Sequence, residues 1–242
     1  MHLRVKFYPI FPFENSYPHL GHIINSKFDD SDDVKQRRCH FIGQANNVLC
    51  YFNKLDLHVK IKLFKSYCSS IYGGELWSLE SDFIQDFCCA WRSALRRLLK
   101  LPYKSHCFLL HVLTDTLPVF DEICKRSARF IFTCLNSRYQ LVRNVTYHAL
   151  VYGRYRSVLG RNLRFCCQRF DWKIDDFMLG LVSLDNHNFL NFCIDKIEPE
   201  QLQTAQLLLE LICLREGYDI FDCGHFLSRS EIDSLITFVA SG

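Results

Sequence analysis

Four basic side chains recur in residues 82–106 at spacings that suit phosphate binding. Arg92, Arg96 and Lys100 follow one another at four-residue steps, so they lie on one side of a helix, and Arg97 lies on the far side of the same cationic face. Guanidinium and ammonium groups bind phosphate oxygens through charge-assisted hydrogen bonds. Cations are also typical of the last turns of any helix, where they offset its dipole by up to about 1 kcal/mol. Both interpretations are open on this stretch alone.

Residue groups that suit metal binding or catalysis give weaker signals. No CxxC pair occurs, and Cys213, Cys223 and His225 lack the close-spaced pairs typical of structural zinc. The carboxylates of residues 29–33 suggest a two-metal site, but no apolar strand follows to hold them rigidly. We interpret this run as the start of a helix, where acidic residues are favoured. We predict no catalytic residue, no metal site and no cofactor in this chain.

Composition points to a globular intracellular protein. Hydrophobic residues make up 49% and charged residues 23% of the 242 residues, and no run of 18 apolar residues occurs, so we expect no membrane span. The N-terminus lacks the apolar region and cleavage site of a signal peptide. The thirteen cysteines include adjacent pairs at apolar positions, unlike a disulfide framework. We predict buried thiols in a reducing compartment, nucleus or cytoplasm, and no secretion.

Charge is distributed unevenly along the chain. Residues 85–169 carry 15 Lys and Arg against 4 Asp and Glu, a net charge of +11. Residues 170–242 carry 4 Lys and Arg against 13 Asp and Glu, a net charge of −9. The basic block predicts a polyanionic partner. The acidic block either folds back on the basic block or forms a solvated helical tail, and both alternatives stay open.

Apolar periodicity predicts a mostly α fold, a bundle of nine or ten short helices with a small β element at the N-terminus. The element that must position the four cations is the helix of residues 82–101, with Asp82 as its N-cap and Pro102 after its end. Its inward stripe is predicted to be Ile84, Phe87, Cys88, Trp91, Leu95 and Leu98. Residues 19–24 predict a hairpin or strand with a glycine at its tight point.

Further helices are expected over residues 34–55, 58–72, 107–113, 118–135, 138–152, 157–170 and 199–215. In the second of these we expect an inward face of Val59, Leu63, Phe64, Tyr67 and Ile71, with Gly73 and Gly74 ending the helix. Along the basic block we expect the cations to lie outward, namely Lys125, Arg126, Arg129, Arg161, Arg164 and Arg169.

Several short motifs follow one another in a recognisable order, namely YPHLGHII at residues 17–24, FIGQANNVL at 41–49, KLFKSYCSSIYG at 62–73, WRSALRR at 91–97 and LPY at 101–103. In their order and spacing they resemble the C-terminal third of the reverse transcriptases of non-LTR (LINE-type) retrotransposons. The resemblance covers residues 17–240, and no single motif decides it.

The resemblance implies a specific organisation. The Leu20–Gly21 hairpin is similar to the primer-grip element at the end of the polymerase palm, and the helices of residues 32–101 are similar to the thumb. It implies three parts, a palm remnant over residues 1–28, a basic thumb-like domain over 29–153 and a helical region with an acidic tail over 154–242. The parent enzymes are magnesium-dependent RNA-directed DNA polymerases whose catalytic carboxylates precede this hairpin. We therefore expect a truncated fragment that is not an enzyme as it stands.

A thumb grips backbone phosphates without reading bases. The partner that the resemblance implies is an RNA/DNA hybrid or duplex, with no small-molecule substrate and no membrane. The expected contact residues are first Arg92, Arg96, Arg97 and Lys100, and second Lys60, Lys62 and Lys65. Two alternatives stay open, a helical protein-interaction scaffold and a genomic relic without function. The oligomeric state is also open.

Overall fold

The structure, a computed structural model, describes residues 16–173 apart from 104 and 106. These residues are mostly helical with one small antiparallel hairpin at the N-terminal end, which confirms the predicted fold class. The elements are β1 (Ser16–His19), β2 (His22–Asn25), α1 (Ser31–Tyr51), α2 (Leu57–Cys68), α3 (Phe83–Leu98), α4 (Cys107–Thr114), α5 (Val119–Leu135), α6 (Gln140–Val151) and α7 (Val158–Arg169), with a 3-10 turn over Gly74–Leu76. The predicted helix of residues 199–215 lies outside the described residues.

The hairpin forms because its two turn residues accept a left-handed backbone. Leu20 has a φ of +48° and Gly21 a φ of +83°, the combination required in a two-residue type I′ turn. Strand β1 pairs with β2 so that His19 lies opposite His22 and Tyr17 opposite Ile24. This confirms the hairpin predicted over residues 19–24.

Helix α3 is the centre of the core, as its apolar spacing predicts. All six residues of the predicted stripe are buried. The Trp91 ring stacks on Phe41 of α1 with centroids 4.8 Å apart and meets Phe64 of α2 edge-on at 5.3 Å. Full burial of a large apolar side chain contributes about 1.5–3 kcal/mol. Asp82 occupies the N-cap position as predicted, but its side chain makes no capping hydrogen bond.

Helix α2 departs from the prediction in its length and its inward face. It ends at Cys68 rather than near residue 72. Val59 and Tyr67, expected inward, are 41% and 60% exposed, whereas Lys60 and Ile61 are buried. The reason is that apolar residues occur on every side of this short helix, so that its apolar spacing fits more than one orientation.

The chain beyond α2 is held by Arg126 of α5. Its guanidinium donates hydrogen bonds to the carbonyl oxygens of Ser69 at 2.9 Å and Ile71 at 3.1 Å. Both carbonyl oxygens lie outside any helix, and Arg126 supplies the hydrogen-bond donor that each of them needs. The prediction that Arg126 lies outward is wrong, because its side chain links two segments of the fold.

Helix α7 is joined to the rest of the fold by Asn162, which is fully buried. Its Oδ1 accepts a hydrogen bond from the backbone N–H of Leu79 at 2.9 Å, and its Nδ2 donates to the carbonyl oxygen of Trp77 at 2.8 Å and to Ser127 at 3.3 Å. Cys166 also belongs to the main apolar core. These contacts cross the predicted domain boundary between residues 153 and 154.

The ten described cysteines are all free thiols. Five are buried as predicted, namely Cys68, Cys88, Cys124, Cys166 and Cys167. Burial raises the pKa of the Cys68 thiol to about 11 and that of Cys88 to about 12, so both stay protonated at neutral pH. Four others, Cys39, Cys50, Cys89 and Cys107, are exposed, contrary to the prediction of buried thiols.

Across residues 16–173, none of the helices combines the length and apolar character needed to cross a bilayer.

Candidate nucleic-acid interface

The cationic row of α3 ends in a Schellman motif. The N–H of Leu101 donates to the carbonyl oxygen of Arg96 at 2.8 Å, and the N–H of Lys100 donates to that of Arg97 at 3.3 Å. Lys100 has a φ of +56° at the position where glycine is usual. The motif turns the chain immediately after the helix and leaves the Lys100 side chain exposed.

Arg96 and Arg97 are oriented by neutral acceptors. Arg96 donates through Nε and Nη2 to the carbonyl oxygen of Ser105, at 3.2 and 2.8 Å. Arg97 donates through Nη1 to Oδ1 of Asn46 on α1 at 2.9 Å. A neutral acceptor holds a guanidinium in place without cancelling its charge, so both groups keep a full positive charge in a fixed position.

Arg92 faces a different part of the surface. It is half-buried, and its Nη2 lies 3.1 Å from the Cys89 sulfur. Its side chain lines a cavity between α3, α4, α5 and α7. The four predicted contact residues therefore do not form one continuous face, because Arg97 and Lys100 are exposed and Arg92 opens into the cavity.

Most of the basic residues of α5 and α7 are paired with carboxylates, and Arg129 is the exception among the residues that the structure describes. Arg126 bonds to Glu122 at 2.9 Å, and Arg169 bonds to Asp121 at 2.6 Å. Arg161 and Arg164 share Glu80, at 3.5 and 3.4 Å. The sequence predicts that these residues lie outward, and in the structure carboxylates partly or wholly neutralise their charges.

The end of α3 differs in this respect. Within residues 16–173, no carboxylate oxygen lies within 4.0 Å of the charged nitrogens of Arg92, Arg96, Arg97 or Lys100, although these residues have other partners. The positive charge of the basic block is therefore compensated at Arg126, Arg161, Arg164 and Arg169 and uncompensated along α3.

The three lysines predicted on α2 lie in different environments. Lys60 is only 8% exposed and belongs to the inward side of the helix, which does not support its predicted role as a contact residue. Lys65 donates to the carbonyl oxygen of Asp115 at 2.6 Å and lies 3.3 Å from its carboxylate. Lys62 is exposed and remains available to a partner.

The tip of the hairpin, which holds the predicted primer-grip residues Leu20 and Gly21, is fastened to the helical body. The Tyr72 hydroxyl donates to the carbonyl oxygen of Leu20 at 3.1 Å, and the Arg37 guanidinium donates to that of Gly21. The Arg37 guanidinium also lies over the Tyr72 ring, 4.9 Å from its centroid. Leu20 itself is 78% exposed. Sequence reasoning missed Arg37 and Tyr72, although Tyr72 lies within one of the resembling motifs.

Gly73 allows the hairpin to approach the helical body. It has a φ of +82°, and a Cβ placed on it would lie 1.8 Å from Cε1 of His22. The His22 ring stacks on Tyr72 with centroids 5.5 Å apart. Only glycine fits this position without displacing the His22 ring.

The acidic run of residues 29–33 serves as the start of α1, which confirms its interpretation. Asp33 is buried and accepts hydrogen bonds from the backbone N–H of Ile23 at 3.0 Å and from Trp77 Nε1 at 2.7 Å. Hydrogen bonds from Ser31 and Asn25 lower the pKa of Asp29 to about 2. Among the described residues, no group of three or more His, Cys, Asp or Glu side chains is arranged to hold a metal ion.

No protein-family model matches the chain, and neither the curated proteins nor the solved structures with which it was compared gave a match.

Proposed function

We propose that this protein binds the sugar–phosphate backbone of an RNA-containing duplex without reading its bases, as a thumb-like module similar to that of non-LTR reverse transcriptases. The observation that supports this most is the uncompensated charge at the end of α3. Arg97 and Lys100 are exposed there, and Arg97 is held by the neutral amide of Asn46.

Fixed, uncompensated cations suit phosphate binding for two reasons. A guanidinium that is already oriented loses less side-chain entropy when it binds, and a partner phosphate does not have to displace a carboxylate. Residues 16–173 carry 24 Lys and Arg against 13 Asp and Glu, so the surrounding field also attracts a polyanion. Contacts of this type carry no base information, which predicts binding independent of sequence.

The experiment is a salt series on an RNA–DNA hybrid. Each phosphate contact contributes about −0.7 to −0.9 to the slope of log K against log salt, so four contacts give roughly −3 to −4. The double variant Arg97→Gln, Lys100→Gln is expected to make the slope less negative by about 1.4–1.8. The control is Arg129→Gln, Arg156→Gln, which removes two exposed charges elsewhere and keeps the same net charge. Equal slopes for the two variants would contradict the proposal.

A protein-interaction scaffold is the second candidate function, and α6 is the element that favours it. Leu141, Val145 and Tyr152 lie at helical spacing on one side of α6 and are 75%, 59% and 74% exposed. Exposed apolar rows of this kind mark interaction surfaces. The exposed cations Arg138 and Arg156 flank α6 in the sequence, which suits an acidic amphipathic segment. The occupant that we infer is an acidic segment, and residues 174–242 of this chain, with 3 Lys and Arg against 12 Asp and Glu, serve as its probe within the same molecule.

Limited proteolysis of the full chain tests this second function. If the acidic segment docks on α6, the variant Leu141→Asp, Val145→Asp increases cleavage within residues 174–242. Tyr147→Asp, also exposed on α6 but outside the row, is the control and leaves cleavage unchanged. Charge reversal at Arg97 and Lys100 has no effect on docking under this function. Equal cleavage of all these proteins would contradict it.

A further inference from the structure

A cavity of about 280 Å³ lies beside α3. Its walls come from four helices and include Gln85 and Arg92 of α3, His111 of α4, Phe120 of α5, and Phe165 and Arg169 of α7. One water molecule occupies about 30 Å³ in the liquid, so the space suits a phosphate group with a small substituent. We infer that this cavity is a binding site for a phosphate monoester or inorganic phosphate.

The charges around the cavity favour an anion. Arg169 is paired with the fully buried Asp121, its Nε lying 2.6 Å from Oδ1. Arg92 faces the cavity with a sulfur atom as its hydrogen-bond partner and, among the described residues, no carboxylate within 4.0 Å. One guanidinium is thus compensated and the other is not, which leaves the cavity with a net positive charge.

His111 provides an unfilled hydrogen-bonding position. Its Nδ1 is buried and has no hydrogen-bond partner among the described residues. Burial, followed by the nearby positive charge of Arg92, lowers the pKa of His111 to about 4, so the ring is neutral at pH 7. A buried polar atom without a partner costs about 1–3 kcal/mol, and a ligand oxygen in the cavity would relieve that cost.

The start of α5 adds hydrogen-bond donors to the same wall. Pro118 and Val119 line the cavity, and the N-cap Pro118 supplies no side-chain cap. The first N–H groups of a helix have no acceptor within the helix, and its N-terminus attracts negative charge. The Phe120 and Phe165 rings meet edge-on at 5.7 Å and provide an apolar wall for an organic substituent. Arg92, the unfilled Nδ1 of His111 and the start of α5 all favour the same ligand class.

The test is a titration of the full chain with inorganic phosphate at constant ionic strength, followed by the NMR signals of the His111 ring. The His111 signal is identified from its loss in His111→Gln. Phosphate is expected to shift this signal and to raise the His111 pKa by about one unit, because an anion favours the protonated ring. No shift at His111 up to saturating phosphate would overturn the inference.

Two variants and one control separate the site from general charge effects. Arg92→Gln removes the uncompensated charge and is expected to weaken phosphate binding at least tenfold, and Phe165→Trp is expected to abolish binding by filling the space. One variant removes a charge and the other fills the cavity, so the inference stays testable if either of them does not fold. Arg129→Gln removes a charge outside the cavity and keeps the affinity of the wild type. An equal loss in Arg129→Gln and Arg92→Gln would overturn the inference.

Two sources of the phosphate group are distinguished by oligonucleotides with and without a 5′-phosphate. Preferential binding of the phosphorylated strand, lost in Arg92→Gln, assigns the site to a strand terminus. A response to inorganic phosphate, with no preference for the phosphorylated strand, assigns the site to free phosphate or a small phosphate monoester. The site does not depend on the proposed backbone binding, because Arg97→Gln, Lys100→Gln leaves the cavity intact. Failure of that proposal therefore leaves the His111 response unchanged.

Discussion

The indole Nε1 of Trp77 donates a 2.7 Å hydrogen bond to Oδ2 of Asp33, across 44 residues of sequence. The same carboxylate accepts from the backbone N–H of Ile23 and lies 3.3 Å from Nδ1 of His22. One buried acid at the start of α1 thereby joins the hairpin, α1 and the segment before α3. Its position matters to stability because each of its partners would be left unsatisfied without it.

We expect Asp33→Ala to lower the free energy of unfolding by about 2–4 kcal/mol, because it leaves the buried Trp77 Nε1 and the Ile23 N–H without an acceptor. Urea denaturation followed by tryptophan fluorescence measures the change. Asp86→Ala, at an exposed position in the first turn of α3, is the control and should cost less than about 1 kcal/mol. Equal costs would show that the network around Asp33 contributes nothing specific.

Two glycine-to-alanine changes should alter stability in opposite directions. Gly73→Ala places a Cβ 1.8 Å from Cε1 of His22 at a φ of +82°, so we expect a loss of about 2–4 kcal/mol. Gly43→Ala is the matched comparison, since a Cβ there meets nothing within 4 Å in the middle of α1. It should gain about 0.5–1 kcal/mol from helix propensity. Thermal unfolding of both variants checks the two signs.

Lys100→Gly should raise stability and weaken nucleic-acid binding in the same protein. Lys100 has a φ of +56°, a conformation that costs an L residue about 1–2 kcal/mol and glycine almost nothing. We expect a gain of about 0.5–1 kcal/mol in the free energy of unfolding. The salt slope of binding should become less negative by about 0.7–0.9. Lys62→Gly, within α2, is the control and should instead destabilise by about 1 kcal/mol.

Acid should destabilise the protein through His111. Its folded pKa is about 4, below the unfolded value near 6.5, so the unfolded chain takes up the proton first as the pH falls. The charged groups on the same cavity are Arg92 of α3 and Arg169 of α7, and the nearby charge of Arg92 disfavours protonation of the ring. This contribution to stability is fully present well above pH 6.5, and about 3 kcal/mol of it is lost as the pH falls through 6.5 to 4. His111→Gln should flatten this dependence, and His148→Gln, at an exposed position on α6, should keep it.

Removal of residues 174–242 should strengthen binding to nucleic acid. This segment carries 3 Lys and Arg against 12 Asp and Glu, so its removal changes the net charge from +3 to +12. We expect roughly a tenfold gain in affinity at low ionic strength that disappears at high salt. The chain should end at Lys173, because Phe170 and Trp172 pack on the core. A full-length variant with those acids changed to Asn and Gln should show the same gain, and unchanged affinity in both would contradict an electrostatic role.

The part of the fold that periodicity predicts best is the part with one strong apolar stripe. In α3 the residues from Ile84 to Leu98 alternate clearly between apolar and polar sides, and the burial follows that alternation. In α2 the apolar residues surround the helix, so Lys60 lies inward where Tyr67 was expected. A lysine stem has enough apolar surface to be buried in this way.

The candidate site could be predicted only in part. The spacing of Arg97 and Lys100 indicated exposed cations near the end of α3, and both are exposed. Local pattern could not show that Arg169 meets Asp121 or that Arg164 meets Glu80, because these partners are 48 and 84 residues away. Such pairs between distant residues determine which cations remain without a carboxylate partner. The resemblance to non-LTR reverse transcriptases stays a prediction.

The hydrogen bonds of Asn162 have a consequence for the order of folding. They join α7 to residues 77 and 79, which lie 85 and 83 positions earlier in the chain. The segment that leads into α3 therefore acquires its final hydrogen bonds only after α7 has been synthesised. Contacts of such long separation slow folding because a large loop must close before they form. During translation, the aromatic cluster of α1, α2 and α3 would assemble first, and α7 would close the structure last.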